Sequence, residues 1–322
     1  VADATDLHER AAAAGRVASG SDQTADDGGL NLLERPDGRR LAYAEFGAAD
    51  GFPVLYCHGF PSSRREALLL HASAVANSAR IIAADRPGYG DSDDVPGRDL
   101  LDWADDLLAL ANHLGLERFA LLGVSGGGPY AVAAAWRLPR QAPGRLAGAA
   151  LICPLGPIYQ ARLLHQMSPA VRTSLGVARA TPWLVDLIYG GVTAAVLERC
   201  PGLVEEVRSM AAPPVDRAVL ASGDTAAILN QTVIDAMRQG AVGPRRDLLI
   251  YTQDWCLPFA EISQPLQIWH GDQDGTVPIE HARWYADHLP AARLTELPGE
   301  GHYSVPLCHT DRILAALLAD CR

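Results

Sequence analysis

In the stretch "LLGVSGGGPY", residues 121–130, one serine stands among four glycines, between an apolar run and the helix-forming "AVAAAW". Gly123-Val124-Ser125-Gly126-Gly127 matches the pattern G-x-S-x-G, in which a sharp strand-to-helix turn lifts the serine hydroxyl above a sheet edge and small neighbours leave room for a reacting carbonyl. Pro129 fits the first turn of the helix that follows. Taken alone, the same residues also suit a glycine-rich turn that binds phosphate at a helix N-terminus. A serine hydroxyl is a weak nucleophile. It needs a base to take its proton and a carboxylate to orient that base. The chain supplies acids after Ser125 in "WHGDQDGTVP", at Asp272 and Asp274, and then His302 in "GEGH", framed by glycines after the last apolar run. The order Ser, Asp, His belongs to one architecture among those that carry such triads. Acyl transfer also requires N–H donors for the developing oxyanion. Gly126, directly after the serine, offers one, and Phe60 in "LYCHGFPSS" is placed to offer the second. His58 in that segment reads as a loop-shaping residue and a candidate neighbour of the substrate.

Composition removes several other chemistries. All 27 basic residues are arginine, so Schiff-base catalysis, Ser-Lys dyads and a Walker phosphate loop have no amine to work with. A net charge of −11 opposes sequence-independent binding to nucleic acid or anionic membranes. The doublets Arg39-Arg40, Arg64-Arg65 and Arg245-Arg246 are too small to reverse it. The six cysteines are widely spaced and read as reduced thiols rather than a zinc site or a disulfide framework. No metal or organic cofactor is implied. With no run of about 18 apolar residues and no signal-peptide pattern in "VADATDLHERAAAAGRVASG", the expected compartment is the cytoplasm. The expected partners are a small-molecule substrate and at most a second copy of the chain.

The elements that must position these residues follow from hydrophobic patterning. Short β-type runs at 53–59, 80–88, 118–126, 145–154, 265–274 and 292–302 alternate with helix-length segments. One of these, 99–116, carries Leu100, Trp103, Leu107, Leu110 and Leu114 at helical spacing. Such alternation predicts a mostly parallel, doubly wound α/β sheet with helices on both faces. The alternation stops between 155 and 260, where helices punctuated by "SPA", "TPW", "CPG" and "APPV" contain no convincing strand. That region is expected to be a helical cap inserted into a core formed by 29–154 and 261–322, with residues 1–28 as an arm. Trp183, Tyr189, Met210 and Trp255 in it, together with His58, are the candidate lining of an apolar substrate pocket; filling the insertion's own interior is the alternative role.

These residues resemble the capped members of the α/β-hydrolase superfamily, in the style of its esterase, C–C hydrolase, epoxide hydrolase and proline iminopeptidase branches. "HGFP", "DRPGYGDSD", "GVSGGG", "HGDQDGTVP" and "GEGH" occur in the family's order, from about residue 38 to the C-terminus. The resemblance implies Ser125 as nucleophile, His302 as base, Phe60 and Gly126 as the oxyanion hole, and Asp274 as the acid, three residues after the glycine of the HG pair, with Asp272 second. Serine in place of an aspartate nucleophile argues against dehalogenase and epoxide hydrolase activity, and "SGGG" departs from the aromatic elbow of iminopeptidases. The expectation is a serine hydrolase acting on a carboxylic ester, or a related activated carbonyl, of a small to medium apolar molecule. C–C bond hydrolysis, amidase or peptidase activity, and a non-hydrolytic cyclase or ligand-binding role on the same scaffold are the alternatives.

Overall fold

A computed structural model describes residues 29–185, 187, 193–200, 212–221 and 224–322 of the chain. Among the described residues nine strands occur: β1 (Asn31–Glu34), β2 (Arg40–Gly47), β3 (Phe52–Cys57), β4 (Ala79–Ala84), β5 (Phe119–Val124), β6 (Leu146–Ile152), β7 (Arg238–Ala241), β8 (Leu266–Gly271) and β9 (Ala292–Leu297). Eight of them form one sheet in the order β1-β2-β4-β3-β5-β6-β8-β9. The pairs β1/β2 and β2/β4 are antiparallel, and every later pair is parallel. Period-two alternation gives each central strand two apolar faces. Leu55 and Cys57 of β3 and Phe119 and Leu121 of β5 enter one core, with the helices Leu100–His113 and Gly128–Gln141. Val54 and Tyr56 of β3 and Ala120, Leu122 and Val124 of β5 enter the other, with the helix Thr310–Asp320. This two-sided burial is why those strands read as continuous apolar runs.

The helix expected over 99–116 spans Leu100–His113. Asp99 opens it with a capping box, accepting from the Leu101 and Asp102 amides while Asp102 accepts from its own. Gly115, at φ 64°, follows its end.

Between β6 and β8 the described residues are mostly helical, including Ala161–Gln166, Pro169–Ala180, Pro214–Leu220, Thr225–Ala236 and Val242–Tyr251. The expectation of no strand there needs correction: β7 lies within the segment, outside the eight-stranded sheet. Its sequence, Arg-Gln-Gly-Ala, has none of the β-branched or aromatic residues that mark a strand. No helix among the described residues is long and apolar enough to cross a membrane. Residues 1–28, Tyr189 and Met210 lie outside the described residues.

Because β3 pairs with β4 on one side and β5 on the other, the chain reverses its direction of travel across the sheet at the β3/β5 boundary. Loops leaving the carboxyl ends of those two strands diverge there and open a crevice. The loops carrying Phe60 and Ser125 are these two.

Candidate active site

Ser125 follows β5 directly and opens a short 3-10 turn that runs into the helix Gly128–Gln141. Its φ is 52°, a left-handed conformation that a residue with a side chain adopts at a cost of about 1–3 kcal/mol, and that surrounding packing must enforce. The glycines next to it are there for close approach. A Cβ on Gly127 would lie 2.0 Å from the Cys57 carbonyl oxygen, and one on Gly126 would lie 2.6 Å from Phe60 Cβ and 3.3 Å from Phe60 N. The elbow is thus pressed against the loop after β3, with the backbones of Gly126 and Phe60 side by side.

His302, in the loop after β9, places Nε2 3.1 Å from Ser125 Oγ and Nδ1 2.7 Å from Asp274 Oδ2. Asp274 is buried in the loop after β8. Its Oδ1 accepts from the Thr276 and Val277 amides at 2.8 and 2.7 Å, leaving Oδ2 for the imidazole. Of the two acids the sequence offered, Asp274 is the one joined to His302. Asp272 accepts from the Gly299 amide at 2.7 Å and ties the two loops together from the surface. Burial alone would raise the Asp274 carboxyl, but the His302 and His270 imidazoles beside it hold it well below the usual carboxylate range. Burial likewise opposes charge on His302. The Asp274 carboxylate, aided by those of Asp216 and Glu66, overcomes it and lifts the imidazole above its ordinary value. The arrangement can take a proton from a hydroxyl and hold the resulting imidazolium.

The loop after β3 is clamped from beneath. Arg86 is fully buried; its guanidinium donates to the carbonyls of His58 and Gly59, and to Asp247. The Gly59 amide donates to Glu66 Oε2 at 2.7 Å. Asp247 also receives Arg98, Tyr89 and Tyr130. From the same helix, Tyr251 donates to the carbonyl of Gly126 at 2.8 Å. His58 accepts from the Arg86 amide at Nε2, 3.2 Å, and contacts the Gly59 carbonyl through Nδ1, 3.0 Å. It is wholly buried, and burial beside Arg86 holds its pKa well below the ordinary value, so it is a neutral strut of the loop.

A cavity of about 300 Å³ opens over Ser125 and His302, its surface mostly apolar, with Phe60, Val124, Leu229 and Leu307 among its lining and Glu66, Ser62 and Thr232 among its polar residues. The expected lining needs correction. His58 lies beneath the loop, out of the cavity. Trp183 is 66% exposed. Trp255 packs edge-on to Tyr159 and near Phe259, its indole N–H donating to the Ile250 carbonyl. Residues with large apolar side chains in the inserted segment were expected to face the serine; instead Leu229, Thr232 and Val233 of the helix Thr225–Ala236 do so. Cys153, His270 and Asp274 bring possible metal donors together. However, both Asp274 oxygens are already engaged, and burial next to that carboxylate raises the Cys153 thiol well above its ordinary value, so the group packs around the acid rather than offering free ligands.

Sequence reasoning passed over Asp247, Tyr251, Glu66 and Asp216. Asp216, from the helix Pro214–Leu220, accepts the amides of His302, Tyr303 and Ser304 at 2.8, 3.0 and 2.9 Å. Arg86 sits within "DRPGYGDSD", which carried a signal; the others have none local to them.

A mostly parallel sheet with a glycine-flanked serine turn after β5, a buried carboxylate after β8 and a histidine after β9 defines a class, and the chain belongs to it. Residues 54–316 match the model of the alpha/beta hydrolase family. Among curated relatives, a non-heme chloroperoxidase of Streptomyces lividans is 36% identical over 130 residues, which span 40% of this chain and 46% of the relative. A bifunctional esterase/perhydrolase of Acinetobacter calcoaceticus is 24% identical over 297 residues, 90% of this chain and 99% of the relative. Among solved structures, a bromoperoxidase from Bacillus anthracis superposes with a TM-score of 0.67 at 20% identity, covering 91% of this chain and 99% of that one.

Proposed function

We propose that the protein is a serine hydrolase that cleaves a carboxylic ester of a small to medium apolar molecule through an acyl-enzyme. The observation that carries this reading is the continuous chain from Ser125 Oγ through His302 to Asp274, at 3.1 and 2.7 Å, beneath an apolar cavity. In this reading His302 takes the Ser125 proton as Oγ attacks the carbonyl carbon, and Asp274 holds the imidazolium. The N–H groups of Phe60 and Gly126 stabilise the oxyanion. His302 then returns the proton to the leaving alcohol, and water activated by the same imidazole releases the acid. The helices between β6 and β8 act as a cap, with Thr225–Ala236 forming the cavity roof. Family membership and the full-length similarity to a protein named as an esterase/perhydrolase support hydrolysis as the reaction.

A chromogenic ester should give a burst of alcohol followed by steady turnover, and a fluorophosphonate should label Ser125. Ser125→Ala should abolish labelling and lower kcat at least ~10³-fold. Full turnover by Ser125→Ala would overturn covalent catalysis. A panel that adds lactones, amides and diketones separates esterase from amidase and C–C hydrolase activity, since only the preferred class should show high kcat/KM that depends on Ser125.

A further inference from the structure

The loop that carries His302 is held by a residue from outside the core. After β9 the backbone amides of residues 302–304 converge on a single carboxylate. Asp216 Oδ2 accepts from His302 N, and Oδ1 accepts from both Tyr303 N and Ser304 N, within 2.8–3.0 Å. Asp216 is 1% exposed. The fit extends one residue back, where a Cβ on Gly301 would come within 2.4–2.5 Å of the Asp216 carboxylate. Gly301 has its own tie, its amide donating to Ser304 Oγ at 2.8 Å. Asp216 belongs to Pro214–Leu220, in the segment between β6 and β8; Val219 of the same helix packs in the core beside Val305 and Leu307. If that helix left its seat, three amides next to the imidazole, two of them buried, would lose their acceptor. A buried donor left without an acceptor is strongly disfavoured, so the loop would rearrange.

We propose that Asp216 is a positioning residue for His302, so that the seating of the inserted helix on the core and the alignment of His302 between Ser125 and Asp274 are one event. The proposal rests on the reading of His302 as general base. It assigns to the inserted segment a task beyond roofing the cavity: with the helix displaced, the base is out of line and the enzyme is inactive. The charged groups facing His302 are Asp274, Asp216 and Glu66. Asp274 bonds the ring directly, whereas Asp216 bonds only the backbone, so the two contributions are separable.

The test uses the full chain and the variants Asp216→Asn and Asp216→Ala. In the wild type, hydrogen exchange read by mass spectrometry should show the amides of 302–304 protected. In Asp216→Ala that protection should fall at least tenfold, and kcat/KM for a chromogenic ester should fall about 100-fold, the scale of a misplacement near 1 Å, with KM little changed. Asp216→Asn keeps an oxygen that accepts but removes the charge. It should recover part of the lost kcat, and the acidic limb of its kcat/KM profile should move to lower pH. Free exchange of these amides in the wild type overturns the proposal without any variant having to fold. It is equally overturned if Asp216→Ala loses thermal stability while its folded fraction keeps the wild-type kcat and Asp216→Asn keeps the wild-type pH limb, since a purely structural tie would do that. Fluorophosphonate labelling of the wild type checks the nucleophile separately. Absence of labelling with protected amides would remove the hydrolase reading and with it the role in catalysis, while leaving Asp216 as a tie of the loop.

Discussion

At Ser125, backbone strain and hydrogen bonding act on one atom. The left-handed φ turns Oγ away from the sheet toward His302 Nε2, and the elbow can hold that conformation because its glycines let the loop after β3 close against it. Adding a methyl at Gly126 tests this directly. In Gly126→Ala the new Cβ meets Phe60 Cβ at 2.6 Å and Tyr251 Oη at 2.8 Å, so the loop must retreat and take the Phe60 amide with it. In the proposed mechanism that amide is an oxyanion donor, the loss of which is worth about 10²–10³ in kcat, and steady-state kinetics should show a fall in that range with the fold intact by circular dichroism. The imidazole makes a second prediction. A base must be neutral to accept a proton, and His302 is lifted above its ordinary value by Asp274 and its neighbours. Activity should therefore rise with pH through a limb centred above about 6.5. A limb at or below that value, measured as kcat/KM against pH, would contradict the electrostatic reading of the site.

At the scale of elements, the strands deliver the site to one edge, and the inserted helices lock it. The helix Val242–Tyr251 reaches it twice. Asp247 pairs with Arg86, which grips the carbonyls of the loop after β3, and Tyr251 grips the carbonyl of Gly126. Tyr251→Phe should leave the fold intact and lower kcat about tenfold, the equivalent of one buried hydrogen bond. Asp247→Asn leaves Arg86 and Arg98 buried without their counter-charge and should cost about 3–5 kcal/mol of stability by denaturant unfolding. These ties also explain what could be read in advance. Ser125, Asp274 and His302 were legible because each lies at the end of an apolar run, in a short segment whose glycines and spacing are dictated by local geometry. Asp216 and Asp247 act on residues 86 to 88 and 117 to 161 positions away along the chain, and nothing in "PVDRAVL" or "PRRDLLIY" distinguishes them from solvated helix acids. The pocket lining failed for a related reason. Residue size picks out Trp255 and Trp183, but how an inserted helix rotates onto the sheet decides what faces Ser125. The modest side chains Leu229, Thr232 and Val233 took that place.

Across the whole molecule, burial of neutral imidazoles couples stability to pH, and His281 allows the coupling to be isolated. It is 0% exposed, accepts the Gly156 amide at Nδ1, 2.9 Å, and burial lowers its pKa to about 4. Between pH 6.5 and 4 the unfolded chain binds a proton at this position that the folded chain refuses, so stability falls as pH falls, by about 1.4 kcal/mol per unit. His58 acts in the same sense. His302 acts in the opposite one: its raised value gives stability that is fully present below the unfolded pKa and is lost as pH rises through the folded one. The carboxyls of Glu66, Asp85, Asp106 and Asp216, raised by burial, also take protons in the folded state first and offset part of the histidine effect. A wild-type curve therefore mixes several signs, whereas a difference between two proteins does not. His281→Asn keeps an acceptor for the Gly156 amide and cannot titrate. Its stability at pH 7.5 should lie below that of the wild type by the packing lost with the ring. Between pH 7.5 and pH 5 that gap should shrink by about 2 kcal/mol, as the wild type alone pays for keeping this imidazole neutral. Urea unfolding of both proteins at the two pH values measures the change, and a gap that does not move would mean that His281 carries its proton inside the fold.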